Sequence, residues 1–149
     1  MLTPAEIAEL TSFAGTLADA AAKVTLPHFR SGLSVDNKRG EFTFDPVTAA
    51  DRDAEAAIRE LIAEAYPTHG IYGEEHGRTH GTSDLYWVID PIDGTRSFIS
   101  GVPLWGTLIA LNDGQKPVIG MMDQPYTGER FTGRPGHSEL VNRQGRIKL

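Results

Sequence analysis

The hydrophobic pattern of this chain changes its period near Pro67, and that change restricts the fold strongly. Before Pro67, apolar residues recur at spacings of three and four in two stretches, which is typical of helices with one buried face. After Pro67, short apolar runs are separated by turn residues, which predicts strands. The sequence therefore predicts an α+β fold with two long helices packed on a mostly antiparallel sheet. Its 149 residues suffice for one such domain.

Capping and turn residues set the predicted boundaries. Thr3, Pro4 and Glu6 form a capping box with proline in the first helical turn, and Pro67 ends the second helix. The predicted elements are a helix from Thr3 to Phe29–Ser31, an extended hairpin over residues 33–45, a helix from Thr48 to Pro67, and strands at Gly70–Gly73, Leu85–Ile89, Thr107–Leu111, Pro117–Met122, Glu129–Thr132, Glu139–Asn142 and from Arg146 onward.

Composition excludes several classes of protein. Cysteine is absent, which removes disulfides, thiolate zinc sites and cysteine nucleophiles. The N-terminus has no basic region followed by an apolar run, as a secretory signal would. Apolar runs such as residues 108–111 are far shorter than the roughly 20 residues that a membrane helix needs. We expect a soluble, cytoplasmic protein with no membrane partner.

Negative charge is concentrated in the middle of the chain. The net charge is −6, yet residues 41–100 alone carry twelve acidic and four basic side chains, a local charge of −8. Such a surface repels a nucleic-acid backbone, so no nucleic-acid partner is expected. The acidic side chains either face water or collect cations, and composition alone leaves that choice open.

Three acidic segments are candidates for cation binding: residues 45–51, 73–77 and 87–95. In the third, an apolar strand runs into Asp90 and Asp93, and proline and glycine predict a tight turn between strand and helix. Such a turn can aim two carboxylates at one point and leave amides free for an anion. Carboxylate and carbonyl oxygens are the ligands that Mg²⁺ prefers.

Each segment also has a purely structural interpretation. Asp-Pro and Asp-Gly are common turn pairs, and adjacent glutamates are often solvated. Thr48 and Asp51 are sufficiently explained as a helix start. Among the histidines, only His76 lies beside the candidate acids. Walker, Gly-x-Ser-x-Gly, His-Glu-x-x-His and EF-hand motifs are all missing from the sequence.

Taken together and in this order, the segments resemble the inositol monophosphatase family. That family pairs Asp-x-Val-Thr-x-x-Asp, Gly-Glu-Glu and Trp-x-x-Asp-Pro-Ile-Asp-Gly-Thr, which this chain matches at residues 45–51, 73–75 and 87–95. The stretch Arg96–Gly101 followed by Pro103–Thr107 is most similar to the bacterial histidinol-phosphate phosphatase branch, which acts in histidine biosynthesis. The resemblance implies the first half of that family's layered α/β sandwich.

The resemblance also implies roles for individual residues. It gives Glu74, Asp90 and the Ile92 carbonyl to a first Mg²⁺, Asp90 and Asp93 to a second, and Glu75 to a third, weaker one. Phosphate would contact the Gly94 and Thr95 amides, the Thr95 hydroxyl and Asp45 would orient the attacking water, and Thr48 and Asp51 would support the site. Water would attack a small phosphorylated metabolite in line, without a phosphoenzyme.

The chain departs from the family in length. Family members are about twice as long, and their later half supplies a Trp-Asp segment that completes the second metal site; no Trp-Asp pair occurs here. We therefore expect residues 1–149 to be an N-terminal metal-site domain, a fragment with little or no activity. An exposed sheet edge or face would favour a homodimer.

Other functions remain open at this point. Within the superfamily, the substrate could instead be an inositol phosphate, a bisphosphorylated nucleotide or a sugar bisphosphate. A haloacid dehalogenase-type phosphatase is disfavoured because its two aspartates are two residues apart, whereas Asp90 and Asp93 are three apart. A non-catalytic, metal-binding remnant is the alternative outside enzymes.

Overall fold

A computed structural model describes residues 2–31 and 48–149. The described helices are α1 (Pro4–Thr25), α2 (Thr48–Ala65) and α3 (Thr95–Ile99), and the strands are β1 (Gly70–Gly73), β2 (Gly77–Thr79), β3 (Tyr86–Asp93), β4 (Gly106–Asn112), β5 (Pro117–Gln124), β6 (Glu129–Arg134), β7 (His137–Asn142) and β8 (Gly145–Lys148). The predicted α+β architecture is confirmed. The hairpin predicted over residues 33–45 lies outside the described residues.

Helix α1 begins as predicted but ends earlier. The Glu6 amide donates to the Thr3 hydroxyl at 3.3 Å, and the Thr3 amide donates to the Glu6 carboxylate at 2.7 Å, so the capping box is confirmed. The prediction that the helix reaches Phe29–Ser31 is wrong. Because Pro27 has no N–H to donate, the α-helix stops at Thr25 and continues as one 3-10 turn, Leu26–His28.

The main core lies between the two long helices and the sheet. Leu17, Ile58 and Ile62 from the helices pack with Trp87 and Ile109 from the sheet, and all five are almost fully buried. Burying a side chain of this size contributes about 1.5–3 kcal/mol relative to leaving it exposed. None of the described helices is long and apolar enough to cross a membrane.

A second apolar cluster, which we call the aromatic cluster, includes Ile92 near the end of β3. It consists of Phe29, Ala50, Ile92, Phe98 and Trp105. The rings of Phe98 and Trp105 meet edge to face, with centroids 4.8 Å apart. Since Ile92 is only 2% exposed within this cluster, the cluster anchors the backbone at the end of the strand.

The eight strands form one sheet in the order β2-β1-β3-β4-β5-β6-β7-β8. All neighbouring pairs are antiparallel except β1 and β3, which run parallel. Strand β2 was not predicted, because its Gly-Arg-Thr sequence is short and carries no apolar pattern. The prediction that β3 stops at Ile89 is also wrong, since the strand continues through Pro91 to Asp93.

Candidate active site

The parallel pairing of β1 and β3 brings two acidic residues together where both strands end, at their carboxyl ends. We call this end of the strands the edge of the sheet. Gly73, the last residue of β1, lies opposite Ile89. Asp90 is the next residue of β3, and Glu74 is the first residue after β1, so the two acidic residues follow this pair directly. Because residues on a strand alternate between faces, Asp90 shares with the exposed Val88 the face opposite the helices.

Residues 90–95, which we call the aspartate segment, continue from this point. The pairing of β3 with β4 shifts register between Asp90 and Asp93. Inside the shifted region, the Pro91 carbonyl accepts a hydrogen bond at 2.8 Å from the hydroxyl of Thr107, which is fully buried. This bond satisfies a carbonyl that the irregular pairing would otherwise leave without a partner.

The turn predicted within residues 90–94 forms at Gly94 alone. Gly94 has φ of +91°, and a Cβ there would lie 2.7 Å from the Leu104 carbonyl oxygen, so only glycine fits. Thr95 then begins α3, a helix of five residues. Its hydroxyl donates to the Ile92 carbonyl at 3.3 Å, which places Thr95 beside the aspartates.

The Asp90 carboxylate is repelled by the other acidic side chains near it. Burial, followed by the charges of Glu74 and Asp93, raises the pKa of Asp90 to about 6. The Ile92 amide donates to the Asp90 carboxyl and opposes this rise, while Glu55 adds to it. The Asp90 carboxyl is therefore affected by carboxylates from three parts of the chain: α2, the turn after β1 and the end of its own strand. This arrangement costs free energy without a compensating positive charge.

In residues 2–31 and 48–149, no three His, Asp or Glu side chains are arranged closely enough to hold a metal ion as they stand. The structure thus gathers Glu74, Asp90, Asp93 and Thr95 at one edge without closing them into a ligand cage. Whether they bind metal stays a prediction.

The other residues predicted for the site have different surroundings. Glu75 forms an ion pair with Arg52 at 3.3 Å. The His76 ring lies 3.1 Å from the Arg52 carbonyl oxygen and is exposed. Asp51 is buried in the first turn of α2, which begins at Thr48. Asp45 lies outside the described residues.

Sequence reasoning missed three residues that hold the site in place: Glu55, Arg59 and Thr107. Glu55 accepts hydrogen bonds from the Glu75 and His76 amides at 2.8 and 3.1 Å, and Arg59 pairs with Glu55 at 2.7 Å. A usable signal existed for Glu55, because it is three and seven residues before Ile58 and Ile62 on the buried face of α2. An acidic residue on an apolar face needs a partner.

Comparisons with known proteins agree with this description. The family model "Inositol monophosphatase family" matches residues 6–149. The chain is 42% identical over 127 residues to a histidinol-phosphatase of Chlorobaculum parvum, covering 85% of this chain and 48% of that protein. It is 41% identical over 143 residues to the chloroplastic bifunctional phosphatase IMPL2 of Arabidopsis thaliana, covering 95% of this chain and 40% of that protein.

Solved structures give the same result. An inositol monophosphatase from Zymomonas mobilis superposes with a TM-score of 0.75 at 39% identity, covering 90% of this chain and 51% of that one. Mycobacterium tuberculosis SuhB superposes with a TM-score of 0.75 at 31% identity, covering 95% and 51%. The chain spans about half the length of the relatives it matches. By sequence and by fold, it belongs to the inositol monophosphatase family.

Proposed function

We propose that this chain carries the Mg²⁺-binding carboxylates of a phosphate monoester hydrolase that acts on histidinol phosphate. The observation that carries the proposal is the parallel register of Gly73 and Ile89, a pair that Glu74 and Asp90 follow directly at one edge of the sheet. Family membership supports the hydrolase class, and the 42% identity to a histidinol-phosphatase supports the substrate.

The available donors suit Mg²⁺. Glu74, Asp90 and Asp93 offer carboxylate oxygens, and Ile92 offers a carbonyl, which are the hard oxygen ligands this ion prefers. The raised pKa of Asp90 fits a cation site, because the repulsion that raises it would be relieved by a divalent charge. We assign Glu74, Asp90 and the Ile92 carbonyl to one ion, and Asp90 with Asp93 to a second.

When bound, Mg²⁺ supplies charge neutralisation at the phosphoryl group and lowers the pKa of the attacking water. Gly94 and Thr95 hold the phosphate through their amides. The Thr95 hydroxyl and Asp45 orient the water, which attacks phosphorus while the bond to the leaving alcohol oxygen breaks. The proton that the water gives up ends on the leaving oxygen, so that phosphate and the free alcohol form. Glu75 is assigned to a third, weaker ion, for which it must leave Arg52. Asp51 and Thr48 support the helix start behind the site.

A substrate panel tests the proposal. Because residues 1–149 are expected to have little or no activity alone, phosphate release is measured on a full-length protein that contains them, with Mg²⁺ and with histidinol phosphate, inositol 1-phosphate and a sugar bisphosphate as substrates. Asp90→Asn in the same protein is the control. We expect the highest rate with histidinol phosphate and a loss of at least about 100-fold in the control. Equal rates for wild type and Asp90→Asn would contradict the proposal.

A second substrate class is favoured by one observation. The Zymomonas mobilis structure, an inositol monophosphatase, is 39% identical to this chain, nearly as similar as the Chlorobaculum parvum histidinol-phosphatase at 42%. If inositol 1-phosphate gives the highest rate in the panel, the substrate assignment changes while the cation site stands. Cation binding without hydrolysis of any ester would favour the metal-binding remnant.

A further inference from the structure

Glu55 is a fully buried carboxylate in the middle of α2, with 0% of its side chain exposed. Its Oε2 accepts the Glu75 amide at 2.8 Å, and its Oε1 accepts the His76 amide at 3.1 Å. The Arg59 guanidinium donates to Oε1 at 2.7 Å. All of these are charge-assisted hydrogen bonds, which are stronger than those between neutral groups.

Arg59 extends this contact to the strand that follows. Its Nη1 donates to the Thr79 hydroxyl at 3.0 Å, and its Nη2 donates to the Gly77 carbonyl. The Glu55–Arg59 pair therefore holds residues 74–76, which we call the glutamate turn, and both ends of the three-residue strand β2 beyond it. Through these bonds, α2 fixes the connection between β1 and β2.

Gly73 shows how closely the backbone approaches this carboxylate. A Cβ at Gly73 would lie 2.1 Å from Glu55 Oε1 and 2.4 Å from its carboxyl carbon. No side chain fits in that space, so the glycine before the two glutamates is required by Glu55. The Gly-Glu-Glu motif is thus explained jointly by its own residues and by a fourth residue on another element.

Stability alone is a poor explanation for this arrangement. A buried ion pair loses much of its attraction to the cost of desolvating both charges, and apolar replacements of similar size are often neutral or stabilising. What an apolar pair cannot supply is direction, since only an acceptor can hold the Glu75 and His76 amides. Those amides follow directly after Glu74.

We propose that Glu55 is a positioning residue that sets the direction of Glu74 toward the cation, an inference that rests on the cation site proposed above. Glu55 does not touch the ion. It holds the two amides after Glu74, so that the Glu74 carboxylate stays at the edge it shares with Asp90. Residues that orient metal ligands in this way typically change metal affinity about 10- to 100-fold when replaced.

Mn²⁺ binding tests the inference, with free Mn²⁺ counted by electron paramagnetic resonance in the 149-residue chain. Glu55→Gln keeps the size of the side chain and loses its charge. Glu60→Gln is the matched control, because Glu60 is exposed on the same helix. We expect Glu55→Gln to weaken Mn²⁺ binding about 10- to 100-fold and Glu60→Gln to change it less than about twofold.

A double variant separates positioning from stability. Glu55→Met with Arg59→Met replaces the ion pair by apolar side chains of similar length. We expect this variant to keep its near-ultraviolet circular dichroism and a cooperative unfolding transition in urea, with a lower midpoint because two amides lose their acceptor. We expect it to lose Mn²⁺ affinity as Glu55→Gln does. Hydrogen exchange of the Glu75 and His76 amides is expected to accelerate in both variants.

The outcomes are distinguishable. Wild-type Mn²⁺ affinity in a folded double variant would overturn the positioning role, and so would a double variant that fails to fold, since the pair would then serve stability. If the wild-type chain binds no Mn²⁺, the proposed function itself fails. Slow exchange of the two amides in that case would leave Glu55 as a purely structural contact.

Discussion

The glutamate turn and the aspartate segment reach the same edge of the sheet but are held there differently. A buried polar group, the Glu55 carboxylate, holds the glutamate turn. The aspartate segment is held by pairing with β4, by the Thr107 hydroxyl and by the aromatic cluster. An apolar cluster tolerates substitutions that keep its volume, with a small loss of stability. A buried polar group stabilises the fold only while all its hydrogen bonds are formed, and it destabilises the fold when a partner is lost.

This contrast predicts that damage to the two regions differs in kind. Substitutions in the aromatic cluster, which supports the aspartate segment, should lower the free energy of unfolding. Substitutions of Glu55, which holds the glutamate turn, should weaken cation binding by more than their loss of stability explains.

The largest expected loss of stability comes from the aromatic cluster. Phe98→Ala removes a ring that is 4% exposed and packs against Phe29 and Trp105, so unfolding in urea should show a loss of about 3–5 kcal/mol. Ile99→Ala is the control, because Ile99 is 46% exposed and should cost less than about 1 kcal/mol. Similar losses for both variants would mean that the cluster does not support the segment.

Gly73→Ala is expected to cost about 3 kcal/mol, because its Cβ must displace the buried Glu55 carboxylate. Gly120→Ala, where a Cβ meets nothing within 4 Å, is the matched strand control and should be close to neutral. Urea unfolding and Mn²⁺ titration are measured on both variants. A Gly73→Ala chain with wild-type stability and wild-type Mn²⁺ affinity would show that Glu55 does not hold the glutamate turn in place.

Thr107→Val tests the polar bond within the aspartate segment. The valine keeps the volume but leaves the Pro91 carbonyl without its hydrogen bond, which should cost about 1–3 kcal/mol in urea unfolding. Thr127→Val is the control, because Thr127 is only half-buried and its bond to the Gln124 carbonyl is longer, at 3.3 Å. Equal losses of stability in the two variants would show that the Thr107 hydroxyl does not stabilise the aspartate segment.

The smallest expected effect is a pH dependence at the opposite end of the same strands. The Trp87 indole N–H donates to Nδ1 of His69 at 3.2 Å, which requires a neutral ring, and burial lowers the pKa of His69. The unfolded chain therefore binds the proton more readily. Stability from this contact is full above about pH 6.5 and is lost as the pH falls through the lowered pKa.

Urea unfolding at a series of pH values from 5 to 8 measures this effect. His69→Gln keeps an acceptor for the indole and does not titrate, so its stability should fall less than that of the wild type as the solution is acidified. Parallel curves for the two proteins would contradict the assignment.

The sequence predicted the fold well where periodicity and turn residues agree. The limits of β1 and the end of α2 before Pro67 came from such signals. The errors had two different sources. Strand β3 passes through Pro91 because β4 pairs on both sides of an irregularity, which is a tertiary effect. Helix α1 ends before Pro27, which is a local signal that the prediction overlooked. The pairing of Gly73 with Ile89 could not be obtained from local sequence, since strand register depends on the whole sheet.

For the candidate site, motif order indicated Glu74, Asp90, Asp93 and Thr95, and the structure places them at one edge. Glu55 and Thr107 were missed because neither belongs to an acidic motif or a turn. Their roles depend on backbone groups that lie 16 to 21 residues away along the chain. Only the buried position of Glu55 on its helix gave an advance sign.

Paramagnetic line broadening tests the shared cation site most directly. Substoichiometric Mn²⁺ is added to ¹⁵N-labelled chain, and amide signals are followed by nuclear magnetic resonance. We predict that the amides of Glu74, Asp90, Asp93 and Gly94 broaden together, that Ile147 at the far edge does not, and that Mg²⁺ reverses the effect. Broadening confined to one of the two segments, or spread over the other acidic surfaces, would contradict a site shared by the glutamate turn and the aspartate segment.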